Sequence, residues 1–165
     1  MNEVMESLLS RRSTRAYMKK QVPLDLTLQV VEVGRYAPNG MHQEPWHFTV
    51  IRSWEKICAL DFAVGGDGKG GSFYQAPTLV IVSIEEGNEF ALQDTACAMT
   101  NMMQAAHSLG LSSVWCNRIS RMSKDYASFG VPVGYVPKAV LALGYGAVPS
   151  AGTWHVKEDT VTIVE

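Results

Sequence analysis

The stretch 91–109, ALQDTACAMTNMMQAAHSL, closed by Gly110, constrains the fold of this chain more than any other. On a 3.6-residue period Leu92, Ala96, Met99, Met103 and Ala106 share one broad face with Ala91, Met102, Ala105 and Leu109. Asp94 falls in the first turn, where a negative charge suits the helix dipole, and Gly110 fits the position just past the end. The opposite face carries Gln93, Thr100, Asn101, Gln104, His107 and Ser108, polar yet without Lys, Arg or Glu. Solvated helix faces are usually rich in those charges. The pattern therefore predicts a central helix with protein on most sides, as a core element, a subunit interface, or both.

A chain of 165 residues, 47% hydrophobic and 18% charged, reads as a single domain over 1–165, long enough to bury a core. A formal net charge of −2 gives no electrostatic case for nucleic acid or an anionic membrane surface. No apolar run reaches bilayer-spanning length, and the opening MNEVMESLLSRRS begins with acids rather than the basic region of a signal peptide. Cys58, Cys97 and Cys116 are widely spaced in apolar contexts. That suits reduced thiols in a cytoplasmic protein and offers no metal-ligand spacing.

Periodicity predicts helices over 2–10, 24–36 and 54–62, and a short one over 123–129. Pro23 and Asp25 open the second, and Ser53 with Glu55 opens the third. Strands are expected at 47–52, 78–84, 112–117 and 138–145. The alternating TVTIV at 160–164 predicts a terminal strand, which needs a sheet edge of its own or a partner's. The sum is an α+β domain, a mixed sheet of four or five strands packed with helices around 91–109. The segment 65–72, GGDGKGGS, reads as a loose connection, without the GxGxxG spacing of a dinucleotide fingerprint.

Two further stretches carry candidate chemistry. RRSTRAY, 11–17, gathers Arg11, Arg12 and Arg15 around Ser13 and Thr14. Such a donor cluster suits a phosphate, but Arg at a helix C-terminus also favours the dipole while facing water. APNGMHQEPWHF, 37–48, has two prolines and an Asn-Gly pair, so it is a loop held in shape. It can present amides and side chains to a flat ligand, or be a turn with a buried Trp.

Taken in order, RRSTRAY (11–17), APNGMHQEPWHFTVI (37–51), AAHSLGLSSVWCN (105–117) and VLALGYGAVPS (140–150) resemble the nitroreductase family of FMN-dependent oxidoreductases. The resemblance covers nearly the whole chain and implies a homodimer with FMN at the subunit interface. Arg11, Arg12, Ser13 and Arg15 would then hold the phosphate and ribityl chain, while Pro38, Asn39, Gly40, His42 and Glu44 would line the flavin. Backbone around Ser113, Val114 and Trp115 would approach the ring. Lys157, with His155 nearby, would replace a basic pair that many members carry near the C-terminus. The resemblance further implies hydride transfer from NADH or NADPH to the flavin N5, then to a nitroaromatic, quinone or similar flat acceptor, in a ping-pong cycle. It asks for no side chain as nucleophile, acid or metal ligand. His42 and Glu44 stand where the family commonly has Asn and Gln, and an ionised Glu can only accept hydrogen bonds. The stretch between Trp46 and Ala76 is compressed, which implies an open site. These departures motivate a second expectation, a flavin- or small-ligand-binding module of the same fold without reductase turnover.

Overall fold

The strands β1 (Trp46–Ile51), β2 (Thr78–Glu85), β3 (Ser112–Cys116) and β4 (Tyr135–Gly144) form one sheet in the order β1-β2-β4-β3. This computed structural model describes residues 1–123, 125–148 and 156–164. Helices α1 (Glu3–Ser10), α2 (Leu24–Arg35), α3 (Trp54–Ala63) and α4 (Ala91–Ser108) complete the α+β architecture. The central strands β2 and β4 read as continuous apolar runs because both of their faces are covered. Val80, Val82, Ile84, Leu141 and Leu143 point into one core with α2 and α4. Leu79, Ile81, Val140 and Ala142 alternate into a second core with Ile57, Leu60 and Phe73.

Local signals set the helix ends. Asn2 Oδ1 accepts from the Met5 N–H at 2.9 Å, and Ser53 Oγ from the Lys56 N–H at 3.4 Å. After α4, Gly110 takes the left-handed φ of +71° that ends the helix. The buried face of α4 comprises Ala91, Asp94, Thr95, Ala98, Met99, Met102, Met103, Ala105 and Ala106. It is rotated from the expected stripe, since Leu92 is 74% exposed. Gly34 of α2 makes room for α4, since a Cβ there would lie 2.7 Å from Met102 Cγ.

Four readings of the sequence are corrected. Every strand ladder is antiparallel, and the only parallel pairing among the described residues is a single bridge between Ser13 and Ser113. Residues 160–164 form no strand, and Val161, Ile163 and Val164 are exposed, because no free edge of this chain's own sheet meets them. In the expected helix 123–129, of which Lys124 lies outside the described residues, only a 3-10 turn at Ala127–Phe129 forms. The glycine-rich segment is not loose. It wraps around buried Asp61 of α3, whose Oδ2 accepts from the N–H groups of Gly68 (2.9 Å), Lys69 (3.1 Å) and Gly70 (3.1 Å). Oδ1 accepts from the Ser72 N–H at 2.8 Å. Burial opposes ionisation of Asp61, but the hydrogen bonds from Ser72, Gly68 and Lys69 outweigh it and hold the carboxyl below its ordinary value.

Candidate active site

The segment 11–17 leaves α1, crosses the edge of β3 at Ser113 and then pairs with 145–147 just past β4. Ser13 bridges Ser113, and the Thr14 N–H donates to the Ser113 carbonyl at 3.1 Å. Arg12 Nη1 donates to the carbonyls of Leu9 (2.6 Å) and Arg11 (3.0 Å), so Arg12 closes the C-terminus of α1. Arg11 does something else. Its Nη1 is buried with no hydrogen-bond partner. Burial, and the like charge of Arg12 beside it, pull its pKa below the ordinary arginine value. A buried cationic donor without an acceptor is costly, and it marks the place where an anion would bind.

Arg11 and Arg12 line a cleft of about 340 Å³ together with Ser10, Thr14, His107, Ser112 and Ser113. His107 Nε2 lies 3.0 Å from Ser10 Oγ, which joins the end of α4 to the end of α1. The other end of β3 opens onto a second cleft of about 220 Å³, lined by Ser72, Tyr74, Trp115, Cys116 and Asn117 with Gly71 and Arg118. From Ser113 to Cys116 a strand advances roughly 10 Å, so one edge strand links a cationic cleft to an aromatic one. Arg15 approaches the second through Tyr74, its guanidinium carbon 5.9 Å from the centre of that ring. Burial pushes the Cys116 thiol up to about 11, with Ala142 and Arg15 opposing, which keeps it protonated.

The loop 37–48 sits elsewhere. The Gly40 N–H donates to Asp94 Oδ1 at the opposite end of α4. Asp94 and His107 stand thirteen positions apart on α4, roughly 20 Å along the axis. Within one chain, therefore, Arg11, Arg12, Ser13, Arg15, Ser113 and Trp115 come together, while Pro38, Asn39, Gly40, His42 and Glu44 form a separate group. His42 and Glu44 project outward as an exposed pair, Nε2 to Oε1 3.9 Å. Val114 turns its side chain into the core, so only its backbone reaches the edge. Lys157 is exposed and lines neither cleft, and His155 lies outside the described residues.

The sequence pattern singled out neither Ser72, Tyr74 nor Asn117, and marked His107 and Ser112 only as element residues; Thr14 it did place in the donor cluster. Among the described residues no cluster of His, Cys, Asp and Glu is arranged to hold a metal ion. No helix is long and apolar enough to cross a membrane.

An α+β protein with a cationic cleft and an aromatic cleft on one edge strand has the donor set for a long ligand, anionic at one end and flat at the other. Comparison with known proteins then places it. The sequence pattern of the Nitroreductase family matches residues 8–145, and the chain belongs to that family. A protein of Methanothermobacter thermautotrophicus, provisionally named NADH dehydrogenase/NAD(P)H nitroreductase, is 32% identical over 152 residues, covering 88% of this chain and 78% of its own. Its counterpart in Archaeoglobus fulgidus is 28% identical over 153 residues, covering 88% and 86%. Among solved structures, a nitroreductase with bound FMN from Bacteroides fragilis superposes with a TM-score of 0.89 at 39% identity, covering 100% of both chains.

Proposed function

We propose that the chain is an FMN-dependent NAD(P)H oxidoreductase that reduces nitroaromatics, quinones or similar flat acceptors in a ping-pong cycle. In this reading residues 1–165 act as one flavin-binding domain of a homodimer. The observation that carries it is Arg11 Nη1, a buried donor with no partner inside a cleft lined by a second arginine and small hydroxyl residues. That cleft fits a phosphate, and the B. fragilis relative binds FMN.

The residues then divide the work by position. Arg11, Ser13 and Ser112 hold the phosphate end, with Arg12 fixing the helix end behind them. The β3 backbone from Ser113 to Trp115 carries the flat ring towards the second cleft. Arg15 places positive charge beside that cleft, where it favours the electron-rich form of a reduced ring. When bound, the flavin supplies the redox chemistry, accepting hydride from the nicotinamide and delivering it to the acceptor. No side chain is needed as nucleophile or proton donor, so the protein's part is orientation and electrostatics.

The separation of the two groups along α4 supports a homodimer. A twofold axis crossing this helix would bring one chain's Asp94 end to its partner's His107 end, placing the 37–48 loop over the other chain's clefts. The surface agrees. Helix α1 buries none of its residues, and Val4, Met5, Leu8 and Leu9 are each about half exposed or more. Val4 and Leu8 border an apolar groove of about 520 Å³ with Val33, Asn101 and Gln104. An apolar helix stripe of this kind normally packs against protein.

The test is an absorbance spectrum of the purified protein before and after anaerobic NADH and then NADPH. Flavin bands that bleach on addition support the reading. Bands that persist would make the chain a holder of flavin, and a protein that takes up no FMN would overturn the proposal.

A further inference from the structure

Past the aromatic cleft the chain enters a 3-10 turn, Arg118–Arg121, pinned to the core by Ile119 and Met122. In such a turn side chains three residues apart eclipse one another, so Arg118 and Arg121 leave on the same side. Both are exposed, and neither makes an ion pair or side-chain hydrogen bond with any described residue. With Asn117 and Ser120 they line a cavity of about 400 Å³. Asn117 and Arg118 also line the aromatic cleft, so the two openings adjoin. Like charges held on one side of a fixed turn repel, and a bound anion relieves that repulsion. The flavin phosphate cannot be that anion, because its cleft lies at the far end of β3.

We propose that Arg118 and Arg121 form an anion subsite at the mouth of the aromatic cleft, selecting substrates that carry a carboxylate or phosphate. The proposal rests on the oxidoreductase reading above. The anion has two sources, an acidic acceptor or the additional phosphate that distinguishes NADPH from NADH. Guanidinium groups suit both, since each can grip two oxygens of either group. Two arginines at one mouth also raise the local concentration of anionic substrates by steering.

The experiment uses the flavin-loaded protein and the variants Arg121→Gln and Arg121→Lys, because the Arg121 side chain lines neither flavin cleft. Steady-state kinetics compare 4-nitrobenzoate with neutral 4-nitrobenzyl alcohol, and NADPH with NADH. Arg121→Gln is expected to lower kcat/KM for at least one anionic partner by about tenfold or more, while NADH with the neutral alcohol changes less than about twofold. Arg121→Lys should restore part of the loss, and added salt should erode the preference of the wild type. Loss confined to 4-nitrobenzoate assigns the subsite to the acceptor; loss confined to NADPH assigns it to the nucleotide. Calorimetric titration of the oxidised protein with 4-nitrobenzoate, the alcohol, NADP+ and NAD+ reads the same selectivity without turnover. If Arg121→Gln leaves all partners unchanged, or weakens charged and neutral partners equally, the subsite is overturned. Failure of the oxidoreductase reading would look different, because the wild type itself would hold no flavin or would hold it without oxidising NAD(P)H, and titration of the protein as purified would still judge the subsite.

Discussion

The backbone N–H of Gly40 donates to Asp94 Oδ1 at 2.8 Å, tying the 37–48 loop to the first turn of α4. The tie holds a strained segment in place, since Met41, His42 and Glu44 all have left-handed φ values, +52°, +54° and +49°. Asn39 Oδ1 accepting from the Glu44 N–H, and Asn88 donating to Gln43, secure the rest. There is no room for a side chain at the anchor, because a Cβ on Gly40 would lie 2.3 Å from Phe90 Cδ2. Gly40→Ala should displace the loop and weaken FMN binding by roughly tenfold or more, with Asp94→Ala acting in the same direction. Asp94→Ala also strips a part-buried N–H of its acceptor, at a cost of about 1–3 kcal/mol. Fluorescence titration with FMN and thermal unfolding check the two effects separately.

Arg11 is expected to trade stability for binding. Replacing it by Met keeps the apolar stem and removes a buried, unpartnered donor, so the flavin-free protein should unfold at the same temperature or higher. FMN affinity should fall on the order of tenfold to a hundredfold, while riboflavin, which lacks the phosphate, should lose little. The ratio of the two affinities in wild type and variant is the measurement. An equal loss for both ligands would place the phosphate elsewhere.

Asp61 should make stability depend on pH in a definite direction. Its folded pKa lies below the unfolded value of about 3.9, so its contribution is complete above that value and is lost as pH falls through the folded pKa. Asp61→Asn turns one acceptor into a donor facing the N–H groups of the 68–72 segment, and should cost about 2 kcal/mol or more at neutral pH. Urea unfolding from pH 7 down into the acid range should show a smaller acid-induced loss in the variant than in the wild type.

The exposed stripe of α1 should govern assembly. Leu8→Glu places a charge in an apolar groove without burying anything inside a single chain. Sedimentation should then show a shift from dimer towards monomer, with flavin lost in proportion and far-UV circular dichroism unchanged.

Elements with strong local patterns were legible in the sequence. The apolar runs of β2 and β4, the capping Ser53 and the span of α4 needed only neighbours a few residues away. What stayed hidden depends on distant partners. Asp94 reads as a dipole charge, yet its hydrogen bond reaches the Gly40 N–H from 54 residues along the chain. The exposed Leu92 follows from which way α4 is rolled against α2, a choice that periodicity alone does not make. Asp61 did leave a trace, an acid sharing the apolar stripe of Ile57 and Leu60, and that was the sign of a buried anchor for the glycines after it. The cluster 11–15 reads in the sequence as a candidate anion grip, but the division between Arg12 closing a helix and Arg11 facing a cleft is decided by packing. TVTIV alternates like a strand, but a pattern does not say whose sheet would receive it.

The most direct test of a site completed by two chains is subunit mixing. One chain would carry Arg11→Ala with Arg12→Ala, the other Gly40→Ala, with different tags so that the mixed dimer can be isolated. Each parent dimer should bind flavin poorly. In the mixed dimer one site inherits both defects and the other inherits neither, so one flavin per mixed dimer, bleachable by NAD(P)H, is the result expected here. A mixed dimer that binds no more flavin than its parents would mean that each site is built within a single chain, and would contradict the account.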